Sequence, residues 1–348
     1  MKPGSFISKE ESKLLQGIAV CLMVFHHLFG FPQYIHTPYV SLLNFSFFSL
    51  ETFIASYGRI CVAIYAFISG YGLRKSTLSL QDYRIGSGYR SSLRRLLSFM
   101  QRYWIVFLVF VPIGLALHAF NYQAIPFWGG LLGLDYTYNE SSWYTGEYIK
   151  FMVVFPILMM ILKHLNHQKG NIIFTLALVI IMTVCAFLPR DYRQQYLLCF
   201  IEGIYFATVP VFEKISSYTT RNSVLNLFIS LVSLLSVALG RVFGLDGGFA
   251  YVYIPFVIFG LTGLIKCTII RKILAFVLAL PAKYNTYVWL IHPFFCYSLF
   301  QKFTFFPKYS PLIFLWCMIL SIASGWILES VLTLIHKGFK TLKERSQK

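Results

Sequence analysis

LLQGIAVCLMVFHHLFGF, residues 14–31, decides the fold. It is an apolar run of 18 residues interrupted only by Gln16 and the pair His26–His27. A helix crossing a bilayer needs about 20 mostly apolar residues at about 1.5 Å rise each, so the run reads as a membrane span. A secretory signal does not fit, because no A-x-A-like site follows and further apolar runs come after it. Imidazole is costly at membrane depth, which marks both histidines as candidates for function. Successive residues of a helix diverge by about 100°, so the two cannot face one cavity together.

The rest of the chain agrees with this reading. Apolar residues make up 57% of the 348 and charged residues 12%, and mean hydropathy is +0.66. A soluble protein carries about 25% charge, so an integral membrane protein is indicated. The seven cysteines are scattered through apolar runs without a CxxC pair, which points to neither a disulfide framework nor a zinc site. No polar stretch is long enough for a separate soluble domain, so residues 1–348 read as one all-α transmembrane domain. Any catalysis then falls within the spans or their short loops.

Ten spans are expected, at about 14–31, 50–73, 96–117, 145–162, 172–188, 195–212, 223–240, 249–265, 284–301 and 311–335. Ile273–Leu280 is too short to cross and is expected as an interfacial helix. The terminal segments and the segments 74–95, 163–169, 213–222 and 266–283 hold 22 of the 30 basic residues. The alternate loops hold five, Arg190, Arg193, Arg241, Lys302 and Lys308. That asymmetry predicts both termini on the cytoplasmic side. Anionic lipid headgroups beside those loops account for most of the +17 net charge, so nucleic acid is not expected as a partner and membrane lipids are.

The polar residues inside the spans are the candidate machinery. Gln16 and His27 are eleven positions apart, about 20° beyond three full turns, and share a helix face about 16 Å apart. His27 is either a structural imidazole bonded to a neighbouring helix or a reacting group, and the cost of burial favours the second. His26 takes the structural reading. Arg59 lies inside the second span, with Ser69, Gly70 and Gly72 near its cytoplasmic end, where small residues allow close packing. Arg74, Lys75, Arg94 and Arg95 are basic residues suited to phosphate, and each is equally well an ordinary positive-inside residue. Trp143 and Tyr144 suit an outer aromatic belt, and Glu147 with Lys150 suits a simple ion pair. In the ninth span, Pro293 is expected to kink the helix beside His292. A second embedded histidine suggests one cavity shared with His27. Glu202 and Glu329 are further buried candidates, each also explicable by helix packing.

In order along the chain, four of these segments resemble the membrane acyltransferase-3 family. The first is Gln16-Gly17-Ile18-Ala19 with His27; the second is Gly58, Val62, Ala66-Phe67 and Ser69-Gly70, followed by Arg74. The third is Trp143 with Phe155-Pro156, and the fourth Asn285, Trp289-Leu290 and His292. The resemblance covers about residues 10–300 and departs at Gln16, where the family carries Arg, so a cationic role there passes to Arg59 or Arg74. It implies a multi-pass protein of the bacterial plasma membrane that moves an acyl group from acyl-CoA to a cell-envelope sugar. The acyl donor, acetyl-CoA above all, is a co-substrate, and no bound cofactor or metal is expected. The acceptor implied is a lipid-linked glycan or polysaccharide. With no appended extracellular hydrolase-like domain, the chain is expected to complete transfer alone or with a partner protein.

On this reading His27 is the general base and His292 its alternative or its orienting partner. The substrate-binding residues are Gln16, Arg59, Ser69, Arg74, Lys75, Arg94, Arg95, Trp143, Tyr144 and Trp289. The rival is a transporter of an acylated or anionic solute in which His27, Arg59 and His292 line a pathway and no bond is made.

Overall fold

The computed structural model describes residues 5–42, 44–45, 48–77, 79–165, 168–187, 193–219, 222–242 and 249–345. The basic residues Lys2, Arg190, Arg221 and Lys348 lie outside them. Among the described residues the fold is all-helical apart from a two-residue antiparallel ladder, Asn44–Phe45 with Phe48–Ser49. The helices are α1 (Lys9–Phe29), α2 (Leu50–Tyr57), α3 (Ile60–Ser76), α4 (Ile85–Ala116), α5 (Ala124–Leu131), α6 (Tyr144–His164), α7 (Gln168–Phe187) and α8 (Gln194–Thr208). Then follow α9 (Val211–Thr219), α10 (Ser223–Val242), α11 (Ala250–Lys266), α12 (Thr268–Val277), α13 (Ala279–Lys283), α14 (Asn285–Pro293), α15 (Gln301–Thr304) and α16 (Ser310–Arg345).

Seven of the described spans are helices long and apolar enough to cross a membrane, and nine are reached if each bent pair counts as one. The bent pairs are α8 with α9, at 64°, and α11 with α12, at 100°. The short apolar stretch after Lys266 is thus a separate helix, with Ile269, Ile273, Phe276 and Val277 exposed along it.

The ninth expected span, 284–301, is not one helix. Pro293 ends α14, because it has no N–H to continue the ladder. A wider π turn follows at Phe294–Ser298, closed by Leu299 N–H to Phe294 O at 3.0 Å, and then the short α15. Such turns concentrate at functional sites. The span that carries His292 is the one that departs most from regular helix.

The chain divides into two compact units. The first comprises Met1–Ala19, Ile60–Leu93 and Glu147–Ala282; the second comprises Val20–Arg59, Arg94–Gly146 and Lys283–Lys348.

In the first unit α3 and α8 meet backbone to backbone. A side chain on Gly70 would run into the carbonyl oxygen of Phe200, and one on Gly203 into that of Phe67. Glycine is what lets apolar helices approach so closely in lipid. Phe151 stacks on Phe200 at 4.5 Å beside this seam. Ser8 and Glu11 form a capping box at the start of α1, with Ser8 N–H to Glu11 Oε2 at 2.6 Å and Glu11 N–H to Ser8 Oγ at 3.2 Å.

In the second unit α14 is anchored by aromatic stacking and one polar bridge. Phe99 stacks on Trp289 at 5.7 Å and Phe110 on Phe294 at 4.8 Å. Gly325 of α16 makes room for Tyr287, whose hydroxyl donates to Glu329 Oε2 at 2.6 Å. Arg102 Nε lies 3.5 Å from the same carboxylate oxygen, so this in-span charge is paired.

Candidate active site

His27 and His292 meet in the second unit. His27 Nδ1 lies 2.6 Å from His292 Nε2, and the rings stack at 4.8 Å with an interplanar angle of 15°. His292 is fully buried and His27 half-buried. His292 Nδ1 lies 2.8 Å from the carbonyl oxygen of Val288, one turn back on α14. A carbonyl can only accept, so this nitrogen of His292 carries the proton. Neutral His292 then presents a lone pair at Nε2, and His27 Nδ1–H donates to it. The remaining nitrogen of His27, Nε2, keeps its lone pair and is the basic atom of the pair.

Both histidines sit in the last turn of their helices. The partial negative charge of a helix C-terminus favours a cation there, so an imidazolium formed at His27 gains from both dipoles. Tyr297 of the π turn donates its hydroxyl to His27 O at 2.6 Å and fixes the end of α1.

A third element closes the site, the 3-10 turn Glu140–Trp143 that precedes α6. Ser141 Oγ lies 3.3 Å from His27 Nδ1, a second and longer acceptor for that proton. The turn is held from two sides. Asn139 Oδ1 accepts from Ser141 N–H at 3.2 Å, while its Nδ2 donates to Leu290 O at 2.8 Å. That carbonyl is open because Phe294 N–H, beyond Pro293, turns instead to Ile291 and His292. Trp289 Nε1 donates to Ser141 O at 3.1 Å. The irregularity at Pro293 therefore creates the acceptor that docks the serine turn.

His26 stands apart from this chemistry. Its Nδ1 lies 2.6 Å from Ala55 O, and its Cβ lies where any side chain on Gly58 would have to go. The divergence of the two histidines thus gives them different partners, Ala55 O for His26 and His292 for His27.

The other sequence-derived candidates are divided between the units. The first unit holds Gln16, Ser69, Arg74 and Lys75. The Gln16 carbonyl accepts from the Tyr65 hydroxyl at 3.1 Å, and half-buried Ser69 precedes the seam residue Gly70. Arg74 Nε donates to Thr208 Oγ1 at 3.1 Å, and Lys75 pairs with Glu213 at 3.6 Å.

The second unit holds Arg59, Arg94, Arg95, Trp143, Tyr144 and Trp289 besides the histidines. Arg59 lies within the candidate span Leu50–Ser76, as the sequence implies, and is exposed at the turn between α2 and α3 beside Gly58. Arg94 and Arg95 are exposed on α4. Tyr144 is buried with its ring edge-on to buried Trp289 at 5.6 Å, in place of an exposed interfacial belt, and half-buried Trp143 stands edge-on to Tyr144. Trp289 thus meets Tyr144 with its ring and the adjacent serine turn with its N–H.

Ser141, Asn139 and Tyr297 are site residues that sequence reasoning missed. An asparagine two residues before a serine is a turn signal that was available; no local pattern marks Tyr297.

Among the described residues neither imidazole of the pair has a carboxylate partner. The chain matches the acyltransferase 3 family model, described as an acyltransferase domain, over residues 10–330, and it belongs to that family. No curated protein and no solved structure matches it.

Proposed function

We propose that this membrane-bound acyltransferase moves a short acyl group, acetyl foremost, from cytoplasmic acyl-CoA to a hydroxyl of a cell-envelope glycan or polysaccharide precursor in the bacterial plasma membrane. The observation that carries the chemistry is the chain Val288 O, His292, His27, which leaves one basic nitrogen, His27 Nε2. The acceptor hydroxyl gives its proton to that nitrogen as its oxygen attacks the thioester carbon. The carbon–sulfur bond breaks, and the departing thiolate takes the same proton back from Nε2, leaving an ester and free CoA thiol. His292 ends at a backbone carbonyl, so it offers the proton no onward route and serves to orient and stabilise the His27 imidazolium. Ser141 shares that second task. General base catalysis of this kind contributes about 10²–10⁴-fold.

The distribution of basic residues supports both termini on the cytoplasmic side. His27 is then about 27 Å along α1 from Lys9, near the outer end at Phe29, and the acyl group reaches it from within the bundle. Arg94 and Arg95 on α4 precede by one turn the ring of Phe99 that stacks on Trp289, which suits them to the phosphates of the donor. Arg74, beside Thr208, and Lys75, beside Glu213, are candidates of the same kind in the first unit.

The test is acyl transfer by the purified protein in lipid nanodiscs with labelled acetyl-CoA. His27→Ala is expected to cut transfer roughly 10²-fold or more while inserting normally. Full activity in that variant removes the mechanism, and a native protein that moves solute but leaves the thioester intact removes the enzyme reading altogether.

A further inference from the structure

Beyond the histidine pair, His27 is one corner of a closed circuit of rings in the second unit. Its imidazole lies 6.1 Å from Phe31 and 5.9 Å from Tyr297. Phe31 lies 6.0 Å from Tyr34, and Tyr34 closes the circuit edge-on to Tyr297 at 5.6 Å. The circuit grades from inside to outside, with His27, Phe31 and Tyr297 half-buried and Tyr34 43% exposed. Among the described residues the Tyr34 hydroxyl has no hydrogen-bond partner.

Tyr34 belongs to a loop, yet its backbone is fixed. Gln301, buried at the start of α15, donates through Nε2 to Tyr34 O at 2.7 Å and to Cys296 O at 2.9 Å. Its Oε1 accepts from His36 N–H at 2.9 Å. One buried amide thus ties the segment after α1 to the π turn that carries Tyr297. The Cys296 carbonyl is available to it because Phe300 N–H bonds to Phe294 in the widened turn. An exposed aromatic ring with an unused hydroxyl, held rigid against a reactive imidazole, has the form of a preorganised contact for a ligand that is apolar on its face and polar at its edge.

We propose that Tyr34, with Phe31 and Tyr297, forms the acceptor subsite, stacking against a carbohydrate ring and presenting one of its hydroxyls to His27. The proposal rests on the acyltransferase reading above and adds to it where the acceptor binds. A pyranose matches the wall because its C–H faces pack on rings while its hydroxyls pair at the edge, here with the Tyr34 phenol. The rings of Phe31 and Tyr297 lie 6.1 and 5.9 Å from the imidazole, so a sugar seated on Tyr34 stands next to His27.

The experiment uses the full chain in nanodiscs, labelled acetyl-CoA as donor, and envelope polysaccharide from the host, freed of esters by mild alkali, as the acceptor probe. Tyr34→Ala is expected to raise the half-saturating polysaccharide concentration about tenfold, the equivalent of one stacked ring, while half-saturation by acetyl-CoA stays put. Tyr34→Trp keeps the platform and is expected to restore the native value, and Tyr34→Phe isolates the hydroxyl. An unchanged polysaccharide dependence in Tyr34→Ala overturns the subsite, as does an equal shift in the acetyl-CoA dependence or a failure of Tyr34→Trp to rescue. A native protein that releases CoA thiol but labels no carbohydrate overturns the subsite and leaves the acyltransferase reading standing. A native protein that releases no CoA thiol overturns that reading itself.

Discussion

In the first unit α3 and α8 meet where Gly70 and Gly203 remove side chains altogether, whereas in the second unit α1, the Glu140–Trp143 turn and α14 meet through hydrogen-bonding side chains. The first contact depends on shape and is intolerant of added atoms. The second depends on polar partners and is intolerant of lost ones. Both are ways of holding helices together where lipid supplies no hydrophobic driving force between them. The second leaves the Nε2 of His27 with its lone pair unused.

The largest effect is expected at the glycine seam. Gly203→Val places a branched side chain against the Phe67 carbonyl, a backbone atom that cannot swing away. Overpacking of this sort costs about 1–3 kcal/mol or more where relaxation is blocked. The variant is expected to yield little monodisperse protein on size-exclusion chromatography after detergent extraction. Gly72→Val, two residues beyond Gly70 and with nothing within 4 Å of the added carbon, is expected to behave as native. Equal behaviour of the two would show that the seam is not what holds α3 to α8.

Next comes the polar cluster. His292→Ala removes the acceptor for His27 Nδ1–H and frees the ring to take the wrong tautomer. The expected result is a fall in kcat of about 10²-fold with little change in the KM for acyl-CoA. A fall in activity carried by KM alone would make His292 a binding residue and leave His27 without its orienting partner.

His26→Ala sharpens the comparison within one helix. Its loss removes a buried hydrogen bond to Ala55 O and leaves a cavity beside Gly58, at a cost of about 1–3 kcal/mol. Thermal stability in detergent is expected to drop while turnover per folded molecule is retained. Lost turnover at unchanged stability would transfer the chemistry to His26.

Much of this division was legible in the sequence, because it follows from one number, the 100° step of a helix. That step separates His26 from His27, while the close packing expected of Ser69, Gly70 and Gly72 as small residues is found at Gly70 and not at Gly72. The meeting of His27 with His292 followed from burial cost, since embedded imidazoles seek partners. What was not legible depends on contacts far apart in the chain. Ser141 reaches His27 only because Asn139 finds the carbonyl that Pro293 disturbs, and Tyr144 turns inward only because Trp289 waits beside it. Hydropathy read residues 284–301 as one span. Pro293 was expected to kink it, but the switch to π geometry is set by tertiary partners such as Gln301, which takes up the displaced carbonyl of Cys296. Arg59 does fall within the candidate span Leu50–Ser76, but the turn at Gly58–Arg59 was not legible, because nothing in the hydropathy marks the place where Gly58 admits His26.

The smallest expected effect asks which unit holds the donor's phosphates. Arg74 is half-buried and bonded to Thr208, and Lys75 is paired with Glu213, both in the unit without the histidine pair. Arg95 is exposed on α4, one turn before Phe99, in the unit that carries the histidines. A guanidinium at a solvent-accessible site gains only modest energy from a phosphate and is screened by salt. Arg95→Ala is therefore expected to raise half-saturation by acetyl-CoA several-fold at low ionic strength, with the difference shrinking as salt is added. Arg74→Ala is expected to do the same more weakly, and Lys340→Ala, at an exposed position late in α16, not at all. Labelled acetyl-CoA titrations at two salt concentrations decide between them. A larger effect from Arg74 than from Arg95 would move the phosphate contact to the first unit, and no effect from either would mean that the donor is held by its acyl and pantetheine portions rather than by charge.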